Sequence, residues 1–570
     1  MVYYPYMPSI VGKRRGRQTY YYLVESARVD GKPRIVSQQY LGTAEEVVAR
    51  LEGSGRGEPD RTQHKRFGDL AAVWSMLEQL GVRQIIDEVV GDRRGDAAAS
   101  VGTYLALATV NRVVDPCSKL AFADWWEGTA GPRLVRPRLP GAATDHRRFW
   151  DAMDTLTDAD LVEIERRISL AAIERFGLDL SGLVLDMTNF ATFIDSANER
   201  APIAQRGKAK QKRCDLRLVG LALVVTCDGA VPVVSHPYPG NRHDSTQFTG
   251  LLDQIVSRWQ ALGGDPGELT VTYDSGQNST DNHAHIEASG LGWVTSLPPT
   301  DHPELLAIPH DDFDIVDADR FPGVTAHDTV VDALGVARRA VITHSPTFHQ
   351  RQARGLEQTL AKARRQLSEL QQRLARGKTR KSTAAIQTEI DRILAPRWLD
   401  RIITVRLTGE TPATRRLTWR TDPRARRRLE DELFGKRILL TNRHDWPVAD
   451  VVAAYRTQPD VEGSFRQMKD PHVVSFSPLH HWTEQKIKVH AFYCVLALQI
   501  AHLMRRHAHQ AGLDLSVRKL LTELAGIQET VLLYQADRGR PRARRMLTDT
   551  TPTQRRLYQL FDLDRYAPRR

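Results

Sequence analysis

The sequence predicts an α/β protein whose mixed sheet is interrupted by an α+β insertion, with a β arm and a helical domain ahead of the sheet. Short apolar runs separated by turn signals alternate with helical patterns in residues 179–304. A leucine-rich helical pattern then separates this stretch from residues 441–510, where the α/β pattern resumes. The 570 residues, 41% hydrophobic and 26% charged, are typical of a globular protein with several domains.

Two segments precede the predicted sheet. Residues 1–62 are predicted to form a small β arm, because strand-favouring segments flank Asp30-Gly31, a pair typical of a hairpin turn. Residues 63–178 have helical apolar spacing and basic edges. For this helical domain, DNA binding is one interpretation and a purely structural bundle is the other.

Residues 179–304 are predicted to form the first part of the sheet. The apolar run LSGLVLDMTNF carries Asp186, and a hairpin signal follows at Asp228-Gly229. After a helical pattern, the strand GELTVTYDSGQNS carries Asp274 just past its apolar run. Both Asp186 and Asp274 are expected where a strand gives way to small polar residues, and open α/β sheets build ligand sites at such positions.

Residues 305–440 are predicted to form the insertion domain. Apolar side chains recur there with a 4-3-4-3-4 spacing, at Leu356, Leu360, Ala363, Leu367, Leu370 and Leu374. A basic break and a second helical pattern follow, so we expect an antiparallel helical hairpin and then strands. The sheet domain resumes at residues 441–510, and residues 511–570 are predicted to be a loose, basic C-terminal region.

The stretch YRTQPDVEGSFRQMK places Tyr455, Glu462 and Lys469 seven residues apart. Seven residues are almost two turns of a helix, so residues at this spacing share one face. Pro459 has no N–H for the helix ladder, which predicts that a new helix starts there. The Glu462–Lys469 pair keeps a common face in that helix, whereas the alignment of Tyr455 does not follow from the spacing. Taken alone, the pattern also fits a solvated helix surface.

Three separate acids suggest a metal site. Asp186 and Asp274 follow strands, and Glu462 lies on a helix after the insertion. Hard ions such as Mg²⁺ prefer oxygen ligands, and two such ions about 3.5 to 4 Å apart activate a nucleophile and stabilise the leaving oxygen of a phosphodiester. Each acid taken singly is more often a turn or cap residue, so the hypothesis depends on all three meeting.

Composition narrows the class of partner. Lys and Arg number 80 against 69 Asp and Glu, and the net charge of +11 favours a polyanion. The longest apolar runs are too short to span a bilayer and the N-terminus has no apolar segment after its charges, so we expect no membrane partner and no export. The 4 cysteines are scattered without a CxxC pair, which argues against a disulfide framework or a zinc knuckle.

Together these stretches resemble the DDE transposases of bacterial insertion sequences, in the group with an insertion before the glutamate and a Tyr-Arg-Glu-Lys signature. The resemblance rests on Asp186 in LVLDMTNF, Asp274 in VTYDSGQNS, and Tyr455, Glu462 and Lys469 in the helix. Further likeness lies in PGNRHDS at 239–245, RGKAKQKRCDL at 206–216 and FRQMK at 465–469. The signature has its arginine three residues after the tyrosine, where this chain has Gln458. The likeness extends from about residue 180 to residue 500.

The resemblance implies a ribonuclease H-like core and a specific activity. The protein would bind the terminal inverted repeats of its own insertion sequence, cleave the DNA and join the 3′ ends to target DNA. Two Mg²⁺ ions, for which Mn²⁺ can substitute, would be held by the catalytic residues Asp186, Asp274 and Glu462. The implied partners are double-stranded DNA from the ends and the target, and a second copy of the chain. The expected location is cytoplasmic and nucleoid-associated.

The resemblance also implies DNA contacts. Tyr455 and Lys469 would hold the phosphate backbone near the cut, and lysine suits a phosphate as a flexible point charge. Gln458 can hydrogen-bond a phosphate but brings no charge, and whether Arg456 compensates stays open. A basic run is consistent either with phosphate contacts or with a solvated loop; it consists of Arg206, Lys208, Lys210, Lys212 and Arg213.

Four polar residues near the acids are candidates for supporting roles: Thr188, Asn241, Asp244 and Asn278. Turn formation is the alternative for Asn241 and Asp244.

Two other functions stay open for the whole chain. One is a catalytically inactive or domesticated DNA-binding relative, which Gln458 favours and the presence of all three acids opposes. The other is a ribonuclease H-like nuclease without strand transfer.

Overall fold

The computed structural model describes residues 7–16, 18–29, 32–48, 59–91, 97–207, 215–242, 246–261, 264–534 and 542–569. The chain forms two compact units. The first consists of Met1–Phe67, Ile527–Thr550 and Tyr566–Arg570, and the second of Gly68–Gly526 and Thr551–Arg565.

In chain order the strands are β1 (Met7–Arg15), β2 (Gln18–Val29), β3 (Lys32–Thr43), β4 (Arg61–Arg66), β5 (Gly182–Ala191), β6 (Leu218–Thr226), β7 (Pro232–Pro239), β8 (Thr270–Thr272), β9 (Gly292–Leu297), β10 (Asp314–Ile315), β11 (Thr325–Ala333), β12 (Val336–His344), β13 (Ile403–Thr408), β14 (Arg416–Thr421), β15 (Lys436–Thr441), β16 (Gln528–Tyr534) and β17 (Arg542–Leu547).

The α-helices are α1 (Gly68–Gln79), α2 (Val82–Val90), α3 (Val101–Val114), α4 (Phe122–Glu127), α5 (Gly131–Leu134), α6 (His146–Asp154), α7 (Asp158–Phe176), α8 (Phe248–Ala261), α9 (Thr280–Ala288), α10 (Pro303–Leu306), α11 (Pro346–Ala375), α12 (Thr383–Leu394), α13 (Leu399–Ile402), α14 (Pro423–Leu433), α15 (Val448–Arg456), α16 (Gln458–Met468), α17 (Glu484–Gln510), α18 (Val517–Ala525) and α19 (Pro552–Leu560).

The first unit contains two three-stranded antiparallel sheets. One has the order β1-β2-β3, as expected for the β arm, although the predicted turn at Asp30-Gly31 lies outside the described residues. The other has the order β17-β16-β4. We expected a loose C-terminal region, but β16 and β17 pair in register there. Two features explain why this region is ordered rather than loose. Glu529 and Val531 are buried on one face of β16, and Arg545 forms an ion pair with the buried Glu529.

The second unit is built on a large mixed sheet with the strand order β10-β11-β12-β15-β9-β8-β5-β6-β7. β5 pairs with antiparallel β6 on one side and with parallel β8 on the other, and β8 is parallel to β9. β6 is buried along its whole length because its sequence, LVGLALVVT, is apolar on both faces. The structure thus confirms the mixed sheet expected of a ribonuclease H-like core.

The segment that leaves the sheet is shorter than the predicted insertion at residues 305–440. β10, β11 and β12 belong to the large sheet, and β15 pairs with both β12 and β9. Ala340, Val341 and Ile342 of β12 are fully buried, so this strand needs neighbours on both sides and cannot stand apart. The long segment that folds outside the sheet is the chain from α11 to α14.

The predicted helical hairpin is present within that segment. α11 packs against α12, and the six apolar residues with 4-3 spacing on α11 are all buried. They share a core with side chains of α12 and of the two-stranded sheet β13-β14, among them Ile386, Ile390 and Leu417. The leucine spacing thus produces intramolecular packing rather than a long coiled coil.

Two helices of the second unit are buried almost throughout. Every residue of α3 is buried, as befits a structural core, and DNA binding by the helical domain stays a prediction. α17 is long and apolar enough to cross a membrane by length and composition, yet 94% of its most apolar window is buried inside the protein. Core helices of globular proteins have the same properties.

Candidate active site

Asp186 lies on β5, and Asp274 follows β8, the adjacent parallel strand. The register pairs Leu183 with Val271 and Val184 with Thr272. The pairing ends there, so Asp186 and Asp274 each come two residues after the last paired residues of their segments. Asp186 is not at a strand end as expected, because β5 runs on to Ala191 through its pairing with β6, whereas Asp274 does follow the end of β8.

Both aspartates are oriented by the next residue of the chain. The backbone N–H of Met187 donates to Oδ1 of Asp186 at 2.7 Å, and that of Ser275 donates to Oδ1 of Asp274 at 2.7 Å. Asp274 caps a short 3₁₀ turn and is exposed, and Asp186 is half-buried. Within the described parts of the chain, Asp274 forms no ion pair.

Glu462 is presented by a helix that begins where the sequence predicted. α15 ends at Arg456, and α16 starts at Gln458 with Pro459 in its first turn. The buried face of α16 consists of Val461, Phe465 and Met468, and Glu462 is exposed beside it. α16 packs on β5, the strand that carries Asp186.

Asp274 and Glu462 line one cavity of about 580 Å³, which we call the Glu462 cavity. Its wall also contains Tyr455, Gln458 and four arginines, namely Arg351, Arg397, Arg437 and Arg466. Asp186 is not among its lining residues. The structure therefore brings two of the three predicted acids to one cavity and sets the third on the neighbouring strand.

Lys469 lies on the face of β5 that carries Asp186. Its Nζ donates to Oγ1 of Thr188 at 2.7 Å and lies 5.5 Å from the centroid of the Phe190 ring. Alternate residues of a strand share a face, so Asp186, Thr188 and Phe190 point the same way. The predicted supporting residue Thr188 is thus a direct partner of the predicted phosphate-binding lysine.

The donor chemistry fits a divalent cation. The three predicted ligands are carboxylates, which Mg²⁺ prefers, and two of them are exposed on the Glu462 cavity. In the described ranges, no three Asp, Glu, His or Cys side chains lie close enough to form a metal site. The assignment of Asp186, Asp274 and Glu462 therefore stays a prediction.

Tyr455 is held inside the wall of the cavity. Its hydroxyl donates to Oγ of Ser296 at 2.8 Å, and burial raises the pKa of that hydroxyl. The Cζ of Arg437 lies 5.5 Å from the centroid of the Tyr455 ring. Tyr455 therefore contacts Ser296 and Arg437 at the position where the family signature suggests a phosphate contact.

Gln458 and Arg456 point in different directions. Gln458 lines the Glu462 cavity with 6% of its surface exposed, and its Oε1 has no hydrogen-bond donor among the described residues. Arg456 is not in that wall, but it lines a second cavity of about 570 Å³ whose wall also contains Arg437 and Tyr455. Its Cζ lies 4.6 Å from the centroid of the Phe321 ring. Compensation by Arg456 therefore stays an open alternative.

The remaining predicted residues have local roles or lie outside the described chain. Asn278 donates to the carbonyl of Ser296 at 2.8 Å, which fixes the turn after β8 against β9. Asn241 is exposed in the turn after β7, and Arg206 donates to Ser196 at 3.1 Å. The residues outside the described ranges are Lys208, Lys210, Lys212, Arg213 and Asp244.

Sequence reasoning missed the four arginines of the Glu462 cavity. Arg351 and Arg397 come from the segment outside the sheet, Arg437 from β15 and Arg466 from α16. Two signals were available: the basic pair at the start of the apolar strand KRILLT, and Arg466 in FRQMK, a stretch that is similar to the family. Nothing in either signal indicates which cavity the side chains reach.

Comparison with known proteins identifies the family. Residues 178–500 match the family model described as transposase DDE domain. No curated protein matches the sequence. Among solved structures, a piggyBac transposase synaptic complex with hairpin DNA is 9% identical over 82% of each chain with a TM-score of 0.37, a likeness too weak to support an argument. The family model covers more than half of the 570 residues, so the chain belongs to the transposase DDE domain family.

Proposed function

We propose that this DDE transposase binds the terminal inverted repeats of its insertion sequence, cleaves the DNA with divalent metal ions and joins the 3′ ends to target DNA. The observation that carries the proposal is the Glu462 cavity, where two exposed carboxylates stand among four arginines. Carboxylates suit hard metal ions and arginines suit phosphates, so one cavity offers both groups that phosphodiester chemistry needs.

Asp186, Asp274 and Glu462 are the proposed ligands of Mg²⁺, with Mn²⁺ as a substitute. Such ions, when bound, supply nucleophile activation and charge stabilisation at the phosphate. The contribution of the chain is to hold the carboxylates in place. The N–H of Ser275 fixes Asp274, and the packing of α16 on β5 sets the helix of Glu462 against the strand of Asp186.

The basic residues would bind the DNA backbone. Lys469, on the Asp186 face of β5, carries a charge that can move from Thr188 to a phosphate. The net charge of the chain, +11, favours association with duplex DNA of any sequence. Because two ends must be joined in one event, the active form is proposed to contain a second copy of the chain.

The test is a donor plasmid that carries the gene with its natural flanks, incubated with Mg²⁺ and a target plasmid. Asp186→Asn, Asp274→Asn and Glu462→Gln should each abolish cleavage and leave duplex binding intact, because each removes a ligand charge but keeps the side-chain size. Glu268→Gln is the matched control, since Glu268 is exposed just before β8 and does not line the cavity. Near-normal cutting by any one variant removes that residue from the triad.

The same experiment separates the alternatives. A DNA-binding relative without activity would bind the donor and yield no cut product at any Mg²⁺ concentration. A nuclease without strand transfer would release the end but give no joined plasmid. Recovery of joined products that depend on all three acids supports the transposase.

A further inference from the structure

The Glu462 cavity lacks a charge where the family signature has one. Position 458 is glutamine, 6% exposed, and its Oε1 lacks a hydrogen-bond donor within the described structure. A neutral amide can accept or donate one hydrogen bond but cannot neutralise a phosphate. If the cavity binds a phosphodiester, another cation must stand near this position.

Arg437 stands on the same wall, held by two aromatic rings. Its Cζ lies 4.5 Å from the centroid of the Phe348 ring and 5.5 Å from that of Tyr455. Contact with ring faces orients a guanidinium and leaves its N–H edge available for a planar or tetrahedral anion. Three elements, α11, α15 and β15, therefore fix one exposed cation in the cavity that Gln458 also lines.

The absence of a protein counter-ion distinguishes Arg437 from the arginines of the adjacent strand. On β12, Arg338 is paired with Glu287, and Arg339 with Asp328 at 2.7 Å. Arg437 is exposed, and among the described residues no carboxylate lies within ion-pair distance of it. An arginine that is held in place without a carboxylate partner is available to an anion from outside.

Arg351 extends the same site. It lies three residues after Phe348 on α11, so the two side chains share one face of that helix, and both line the Glu462 cavity. Arg351 likewise has no carboxylate partner among the described residues. The cavity wall thus offers two guanidinium groups, Arg437 and Arg351, each able to bind phosphate oxygens.

We propose that Arg437, oriented by Phe348 and Tyr455 and assisted by Arg351, is the phosphate-binding site that replaces the signature arginine in this chain. The ligand is a phosphate of the DNA strand whose cleavage the two carboxylates serve, and the inference therefore rests on the proposed function. It assigns Tyr455 a new role: the ring orients Arg437, and the hydroxyl is occupied by Ser296. It also explains why Gln458 is tolerated.

The test moves the positive charge from position 437 to position 458. Arg437→Gln should slow cleavage of the donor plasmid by roughly tenfold or more. It should also reduce the slope of duplex affinity against salt concentration by the amount that one phosphate contact contributes. The double variant Arg437→Gln/Gln458→Arg returns a cation to the signature position and should recover most of that loss. Arg406→Gln is the matched control and should behave as the wild type, because Arg406 is exposed on β13 and does not line the Glu462 cavity.

The outcomes distinguish this inference from the proposed function. Wild-type cleavage and salt dependence in Arg437→Gln overturn the Arg437 site but leave the transposase intact. Equal losses in Arg406→Gln and Arg437→Gln overturn it too, since the effect would then come from the net charge of the protein. A wild type that binds duplex but never cuts overturns the proposed function, while the salt dependence of binding still tests Arg437. Arg437→Lys keeps a positive charge at this position and should keep more of the cleavage rate than Arg437→Gln, so unfolding of the glutamine variant would not hide the result. Equal losses in folded Arg437→Lys and Arg437→Gln proteins would overturn the phosphate contact.

Discussion

The hydroxyl of Tyr455 donates a hydrogen bond of 2.8 Å to Oγ of Ser296, which ties α15 to β9 in the wall of the Glu462 cavity. Both side chains are buried, with exposed fractions of 7% and 9%. Tyr455→Phe should therefore cost about 1 kcal/mol of unfolding free energy, because it removes one buried hydrogen bond and keeps the ring under Arg437. Chemical denaturation measures the loss, and the salt dependence of DNA binding should stay unchanged.

Ser296→Ala is the partner variant for that measurement. If the Tyr455 hydroxyl hydrogen-bonds only to Ser296, the effects of the two changes on the unfolding free energy are not additive. The double variant should then lose no more unfolding free energy than Tyr455→Phe alone. A fall in the salt dependence of DNA binding in Tyr455→Phe would contradict this, since it would mean that the hydroxyl contacts a phosphate directly.

Lys469 offers a second test of the DNA contacts. Lys469→Ala removes the ammonium group that donates a hydrogen bond to Thr188 and should weaken binding to the DNA ends. The slope of affinity against salt concentration should fall by the amount that one phosphate contact contributes. Cleavage should fall by roughly tenfold, as expected when a charged hydrogen-bond donor is lost. Titrations of a duplex over a range of salt concentrations give the slope.

The control for Lys469 is its partner. Thr188→Val removes the hydroxyl that accepts the hydrogen bond and leaves the lysine charge and the strand in place. This variant should bind DNA with the salt dependence of the wild type. If Lys469→Ala showed unchanged kinetics and salt dependence, the lysine would have no phosphate role and would serve only to pack α16 on β5.

Some of these features follow from local sequence and others do not. Pro459 dictates the start of α16 by its missing N–H, and the leucine spacing dictates the buried face of α11, so both were predictable. Arg437 was not, because its ring partners Phe348 and Tyr455 are distant in sequence and meet it only in the folded sheet. We also predicted too small a sheet, because β12 and β15 are distant in sequence and pair only in the folded protein.

The position of Asp186 shows the same limit on a smaller scale. Its neighbours Thr188 and Asn189 are polar, which predicts a strand end, yet pairing with β6 continues to Ala191. Backbone hydrogen bonds to an adjacent strand outweigh the low strand preference of a few polar side chains. Strand length near a site therefore depends on the neighbouring strand, which the sequence does not identify.

Lys119 gives a prediction about pH. It is buried, its Nζ lies 4.4 Å from the centroid of the Tyr493 ring with no hydrogen-bond acceptor among the described residues, and burial lowers its pKa to about 7. Below pH 7 both the folded and the unfolded states carry the proton, so the cost of burying the charge is fully present. Between pH 7 and about 10.5 the unfolded chain binds more protons, and stability rises with pH.

Lys119→Met should therefore stabilise the protein at pH 7, and its advantage over the wild type should shrink by roughly 2 kcal/mol by pH 9. The difference between the two proteins cancels the titration of all other groups, and urea denaturation at several pH values measures it. An advantage that does not change with pH would show that the ammonium is not buried in the folded protein.

Leu367 tests whether the segment outside the sheet has its own core. The side chain is fully buried among residues of α11, α12 and the β13-β14 sheet. Leu367→Ala should cost about 2 to 5 kcal/mol, because it removes apolar contacts and leaves a cavity.

Glu369→Ala, two residues further along the same helix, is the control for Leu367. Its side chain is exposed, so the change should stay within about 0.5 kcal/mol. Because α11 also carries Phe348 and Arg351, a loosened α11 should slow cleavage as well as lower the thermal midpoint. Unaltered cleavage in a clearly destabilised Leu367→Ala protein would mean that the far end of α11 melts without disturbing the arginines of the Glu462 cavity, and that the two ends of this helix unfold independently.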